Sequence, residues 1–255
     1  MAFDLEVLPT AALVAEAAAR RFVVAANDAI RARGEFVVAL SGGSTPRSLY
    51  LRLAAESGGS NLDWSRIQVL WSDERCVPPD DAASNYRMAR ETLLDHVPIS
   101  AANVHRIHGE DDPAVAAAAY ERVIRGVLRR PTGTPRGTPG TRIDLVLLGL
   151  GVDGHTASLF PGTAAVRDRR SWVRAEYVQA VSAWRVTLTP VIINAAACVA
   201  FLVSGEAKAD VVRKVLEGPR RPHELPAQRI APADGRVVWF VDAPAAAALR
   251  RLRAR

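Results

Sequence analysis

Asp153 and His155 stand two residues apart in the string Leu147-Leu148-Gly149-Leu150-Gly151-Val152-Asp153-Gly154-His155-Thr156-Ala157-Ser158-Leu159-Phe160-Pro161-Gly162. An imidazole changes protonation near neutral pH, so a histidine held in a crevice can take a proton from water. A carboxylate beside it can orient the ring and stabilise the charge it acquires. The glycines leave the backbone free to aim both side chains. A single histidine is more often structural than catalytic. Here the position just past an apolar run, with a carboxylate next to it, reverses that expectation.

Three further segments carry candidate chemistry. In Ser41-Gly42-Gly43-Ser44-Thr45-Pro46, Gly42 and Gly43 let the main chain approach a ligand closely, and Ser44 and Thr45 can donate to oxygens. Pro46 suits the first turn of a helix, whose N-terminus attracts an anion. The segment reads as a phosphate cradle or, structurally, as a strand-to-helix turn capped by a hydroxyl. It matches neither G-x-x-x-x-G-K-[ST] nor G-x-G-x-x-G, which argues against ATP and NAD as ligands. In Trp71-Ser72-Asp73-Glu74-Arg75-Cys76-Val77-Pro78, three adjacent charges at a strand end need water, one another or an anionic substrate as partners. Ser84-Asn85-Tyr86 then opens a helix. Arg185, in Trp184-Arg185-Val186-Thr187-Leu188-Thr189-Pro190, and Lys208, in Ser204-Gly205-Glu206-Ala207-Lys208-Ala209, could each add charge to a phosphate or sit on the surface as solvated cations.

These segments need elements to hold them. Phe36-Val37-Val38-Ala39-Leu40 is a continuous apolar run of the kind buried on both faces of a parallel sheet. Similar runs recur at Ile67–Trp71, Ile143–Leu148, Ala197–Val203 and Val237–Val241. Helical patterns fall at Thr10–Arg33, closed by Gly34, and near Ser84–Leu94, Pro113–Arg130, Glu206–Leu216 and Pro244–Arg253. The alternation predicts one α/β domain over residues 1–255, a doubly wound, mostly parallel sheet flanked by helices and Rossmann-like in plan. Pro131–Thr141, with three prolines and three glycines, reads as a surface excursion within that domain. In such a sheet ligands bind beyond the carboxyl ends of the strands, where the candidate segments fall.

Composition narrows the function classes. The 255 residues carry a formal charge of +6, with 49% hydrophobic and 24% charged residues, as in ordinary globular chains. Arginine clusters at Arg250, Arg251, Arg253 and Arg255 and at Arg129, Arg130 and Arg136, without interleaved aromatics, so a nucleic-acid partner is not expected and a small anionic substrate is. No apolar stretch reaches the roughly 18 residues of a membrane span, no leader-like run opens the chain, and a cytoplasmic protein is expected. Cys76 and Cys198 match no metal or redox spacing and read as free thiols. His96, His105, His108 and His223 form no ligand set with them, so no metal is expected.

Taken together and in order, SGGSTP, SDERCVP with SNY, GLGVDGHTASLFPG, WRVTLTP and SGEAKA resemble the 6-phosphogluconolactonase family, within the glucosamine-6-phosphate isomerase/6-phosphogluconolactonase superfamily. The resemblance runs from Ser41 to about Lys208 in its motifs and over nearly the whole chain in its elements. It implies hydrolysis of 6-phospho-D-glucono-1,5-lactone to 6-phosphogluconate, the second step of the oxidative pentose phosphate pathway, without a cofactor. It implies that Gly43, Ser44, Thr45, Arg185 and Lys208 hold the phosphate, with Gly42 in the same turn, while Asp73, Arg75, Asp153 and His155 face the sugar ring. The partner is then a small phosphosugar lactone, and the assembly a monomer or small homo-oligomer. Two alternatives stand beside this reading. A hexosamine-phosphate isomerase or deaminase resembles it but typically carries Asp-Glu-Tyr where this chain has Asp73-Glu74-Arg75, and lacks the TASLFPG continuation. A non-catalytic sugar-phosphate sensor would need a DNA-binding module, for which the N-terminal segment is too short.

Overall fold

The computed structural model describes residues 3–56, 62–129 and 142–250. The predicted excursion at Pro131–Thr141 lies outside them, as do the last residues of the helix expected to reach Arg253. The elements, in chain order, are β1 Asp4–Leu8, α1 Ala11–Arg33, β2 Phe36–Leu40, α2 Ser44–Glu56, β3 Ile67–Trp71, β4 Asp73–Arg75, α3 Asn85–Thr92, α4 Pro113–Val127 and β5 Leu145–Leu148. They continue with α5 Ala164–Arg167, β6 Val173–Val178, β7 Ala183–Leu188, α6 Pro190–Ile193, β8 Cys198–Val203, α7 Ala209–Glu217, β9 Arg236–Asp242 and α8 Ala243–Ala246.

The main sheet has six parallel strands in the order β1-β9-β8-β5-β2-β3. β2 is an inner strand whose five residues are all buried; Val38 pairs with Val69 of β3 on one side and Leu145 of β5 on the other. Each apolar side chain buried there contributes roughly 1.5–3 kcal/mol. The chain runs outward from β2 to β3 and then returns to the far side of β2 for β5. That reversal puts successive right-handed crossovers on opposite faces and opens a crevice between the carboxyl ends of β2 and β5.

Local signals explain the helix ends. Thr10 caps α1 by accepting from Leu13 N, and Gly34 ends it with φ 84°. Asp112 caps α4 through the amides of Ala114 and Val115, ahead of Pro113. No helix of the described residues is long and apolar enough to cross a membrane.

The structure corrects the predicted element list in three places. β1 was not anticipated: an edge strand that buries little, with acidic residues at Asp4 and Glu6, lacks the apolar run that marks the inner strands. Within the described residues the C-terminal helix is the short α8, which ends at Ala246, where a helix from Pro244 to Arg253 was expected. A second, antiparallel sheet of order β4-β7-β6 was not predicted and takes in both Asp73-Glu74-Arg75 and the WRVTL segment.

Candidate active site

At the end of β2 the main chain of Ser41 is held twice by Tyr50 of α2, whose hydroxyl donates to Ser41 O (2.8 Å) and accepts from Ser41 N (2.9 Å). Gly42 follows with no room for a side chain, because a Cβ there would stand 1.9 Å from Oδ1 of Asn85. Gly43 has φ 110°, a conformation that favours glycine, and α2 begins at the next residue. The amides of a first helical turn have no intrahelical acceptors and carry the positive end of the helix dipole, so this turn presents donors to an anion.

The turn after β5 is built to hold a side-chain pair. Thr156 Oγ1 donates to Gly149 O (2.8 Å), Gly151 N donates to His155 O (2.8 Å), and Gly154, at φ 84°, donates back to Gly151 O (3.0 Å). Asp153 Oδ1 lies 2.6 Å from His155 Nδ1 and also accepts the His155 amide at 3.1 Å. An ionised Asp153 makes Nδ1 the donor and leaves Nε2 as an acceptor. The imidazole stacks on Phe160, with centroids 4.0 Å apart and planes at 21°. Burial works against the Asp153 charge, but its hydrogen bonds to His155 and the charge of the ring outweigh it and hold the carboxyl below its ordinary pKa.

Strand alternation sorts the three charges of β4. Asp73 and Arg75 point to one face and line the crevice; Glu74 points to the other. Glu74 is not solvated and makes no ion pair among the described residues. It is 2% exposed and accepts from Arg75 N (2.8 Å), Asn85 N (2.7 Å), Tyr86 N (2.7 Å) and Ser84 Oγ (3.2 Å), clamping the N-terminus of α3 onto β4. Burial raises its pKa against the pull of those amides. Asp73 is itself buried and accepts from Ser158 Oγ at 2.7 Å, which ties β4 to the turn after β5. Arg75 stands opposite Arg185 in the β4–β7 register, so the two guanidinium side chains share a face. Neither makes an ion pair within the described residues; Arg75 Nη1 donates to Ala83 O and Arg185 Nη1 to Trp184 O. Burial, and then the charge of Arg75, lower the pKa of Arg185.

Beyond β8, Gly205 N is held by both carboxylate oxygens of Asp242 at 3.0 Å, and a 3-10 turn over Glu206–Lys208 carries the lysine toward the crevice. Burial lowers the pKa of Lys208, while the charge of Asp153 opposes the shift. Ser204, on the same stretch, has a buried Oγ with no partner among the described residues.

These strand ends meet around one cavity of about 260 Å³. Gly42, Gly43, Ser44, Thr45, Asp73, Arg75, His155 and Lys208 line it. Asp153 stands behind His155, and Arg185 beside Arg75, without forming the lining. Sequence reasoning missed Asn85 and Ser204 in the wall and Ser158 behind Asp73. Asn85 lay within the quoted SNY string, where its position as a helix opener explained it too readily. Among the described residues no three His, Cys, Asp or Glu side chains come together as a metal site.

Fold and site together define the class: an α/β protein with a polar crevice at the switch point of a parallel sheet. The family model of glucosamine-6-phosphate isomerases/6-phosphogluconolactonase matches residues 9–239, and the chain belongs to that family. A 6-phosphogluconolactonase of Nostoc sp. is 39% identical over 248 residues, 96% of this chain and 98% of the relative. The structure of 6-phosphogluconolactonase from Trypanosoma cruzi superposes with a TM-score of 0.84 at 29% identity, over 98% of this chain and 97% of that one. A monomeric glucosamine-6-phosphate deaminase shares the fold, with a TM-score of 0.78 at 23% identity over 96% of this chain and 100% of that one.

Proposed function

We propose that the chain hydrolyses 6-phospho-D-glucono-1,5-lactone to 6-phosphogluconate, as the names of its relatives suggest, and so serves the oxidative pentose phosphate pathway. The phosphate docks on the amides and hydroxyls of Gly43, Ser44 and Thr45 and on Lys208, with Arg185 adding positive potential beside Arg75. Nε2 of His155 takes a proton from water as its oxygen attacks the lactone carbonyl. Asp153 fixes the tautomer and stabilises the imidazolium that forms. Arg75 stabilises the oxyanion. When the tetrahedral intermediate collapses, the bond from the carbonyl carbon to the ring oxygen breaks, and the imidazolium returns its proton to that oxygen, leaving a hydroxyl.

The observation that carries this reading is the contact of 2.6 Å between His155 Nδ1 and Asp153, in a cavity shared with the α2 N-terminus and Lys208. It supports a reading in which a proton acceptor and an anion site lie within one small substrate's reach. The test adds purified protein to freshly generated 6-phosphogluconolactone and follows lactone loss against the spontaneous rate. Acceleration supports the proposal, and lactone loss at the spontaneous rate overturns it.

A further inference from the structure

Asn85 opens α3 and is only 2% exposed. Its amide N–H donates to Glu74 at 2.7 Å, and its side-chain Nδ2 donates to the backbone oxygen of Asp73 at 2.9 Å. A carbonyl only accepts, so the side-chain atom facing Asp73 must be nitrogen, and this fixes the flip of the amide. Oδ1 is thereby turned the other way, against Gly42. No donor among the described residues reaches Oδ1. It is not sealed among protein atoms either, because Asn85 forms part of the cavity wall. A polar atom left open in this way is free to pair with water or with the ligand that displaces it.

We propose that Asn85 is a specificity-determining residue whose Oδ1 accepts a hydrogen bond from a hydroxyl of the sugar ring. The inference rests on the sugar-phosphate lactone reading above and identifies the part of that substrate this wall recognises. An amide oxygen has no proton to give. Neither a phosphate dianion nor a lactone carbonyl has one, so only the hydroxyl groups of such a substrate can pair with Oδ1. The neighbours reinforce the assignment. The Asp73 carboxylate, on the same wall, is also an acceptor, whereas the α2 N-terminus and Lys208 supply donors. Donors thus gather at the α2 N-terminus and Lys208, and the acceptors Asp73 and Asn85 stand together on the opposite wall, beside the Arg75 guanidinium. Asn85 stands at the border, since Oδ1 packs against the cradle at Gly42.

The test is a cycle of enzyme and substrate changes. kcat/KM is measured for wild type and Asn85→Ala on 6-phosphogluconolactone and on its 2-deoxy, 3-deoxy and 4-deoxy analogues. Wild type is expected to lose roughly 3- to 10-fold on one analogue, the value of one neutral hydrogen bond. Asn85→Ala is expected to lose a similar factor on the parent lactone and to show no further loss on that analogue. A loss of the same factor on every substrate would overturn the proposal, because Asn85 would then only brace Asp73 and Gly42. Should Asn85→Ala fail to fold, the wild-type series still decides: no analogue poorer than the parent lactone by more than about 2-fold refutes a hydroxyl contact. Turnover of the parent lactone by wild type tests the activity reading separately. Were turnover absent, the same cycle would be read by calorimetry with glucose 6-phosphate and its deoxy analogues, and the two readings fail independently.

Discussion

Gly42, at the end of β2, and Gly151, at the end of β5, both lack space for a side chain, but the atoms they make room for differ. Beside Gly42 the space belongs to Asn85, a side chain from another element. Beside Gly151 it belongs to the turn itself: a Cβ there would stand 2.0 Å from Nδ1 of His155 and 2.6 Å from Oδ1 of Asp153. The first turn presents main-chain amides and hydroxyls at a helix N-terminus; the second presents a proton-transfer pair. On the proposed mechanism, binding and chemistry are therefore housed on different strands of the sheet. Substitutions in the two turns should separate KM from kcat.

The largest effect expected is from His155→Ala, a fall in kcat of roughly 10²- to 10⁴-fold with KM nearly unchanged. A folded variant keeping more than about half of wild-type kcat would break the comparison and move proton transfer to Asp73 or Asp153. Gly151→Ala sharpens it. The atoms in the way are the tip of the imidazole and the Asp153 carboxylate, which can swing aside without unfolding the protein. The melting temperature should therefore hold while kcat falls by about 10² or more, approaching the loss of the proton acceptor itself. Steady-state rates together with thermal melts decide. A Gly151→Ala enzyme with wild-type kcat would mean that the Asp153–His155 contact is not needed.

On the binding side of the cavity, Lys208→Ala, beyond β8, should raise KM by roughly 10- to 100-fold, the value of one charge-assisted contact, with kcat within a few-fold of wild type. If phosphate is held there, unphosphorylated gluconolactone should show no such difference between wild type and variant. Equal losses on both lactones would remove the assignment of Lys208 to phosphate.

The two turns were also unequally legible in the sequence. Apolar runs with glycines behind them marked β2 and β5, because central parallel strands are buried on both faces and tolerate no polar residue. The Asp153–His155 string and the Gly42–Gly43 turn followed directly from those positions. The second sheet left no such trace. β4 is three charged residues long and pairs with β7 more than a hundred positions later, so neither periodicity nor composition announces it. Glu74 illustrates the difficulty: in sequence it is one of three solvated charges, and only the strand's alternation turns it inward as the clamp on α3. Asn85 and Ser158 were hidden for a related reason. Their polar atoms act across elements distant in sequence, and an Asn at a helix start or a Ser in a turn is already accounted for locally.

The smallest effect expected would reveal an electrostatic link between the turn after β5 and Lys208. Burial lowers the pKa of Lys208, and the negative charge of Asp153 opposes that shift. Lys208 is charged below its pKa and neutral above it. The affinity for phosphate should thus be level near neutrality and decline on the alkaline side, at a lower pH than an ordinary lysine with its pKa of about 10.4 would give. Asp153→Asn removes the opposing charge and leaves burial unchecked, so the decline should move to still lower pH. Lys208→Arg, which keeps its charge, should move it upward or abolish it. Calorimetric titration with 6-phosphogluconate between about pH 7 and 10.5 reads this directly, free of the spontaneous opening of the lactone at high pH. Coincident alkaline limbs for wild type and Asp153→Asn would show that the charge behind His155 is not felt at Lys208, leaving binding and chemistry electrostatically independent. A limb displaced to lower pH in Asp153→Asn, with His155→Ala unmoved, would show that Asp153 serves both turns: it orients the base and keeps the phosphate lysine charged.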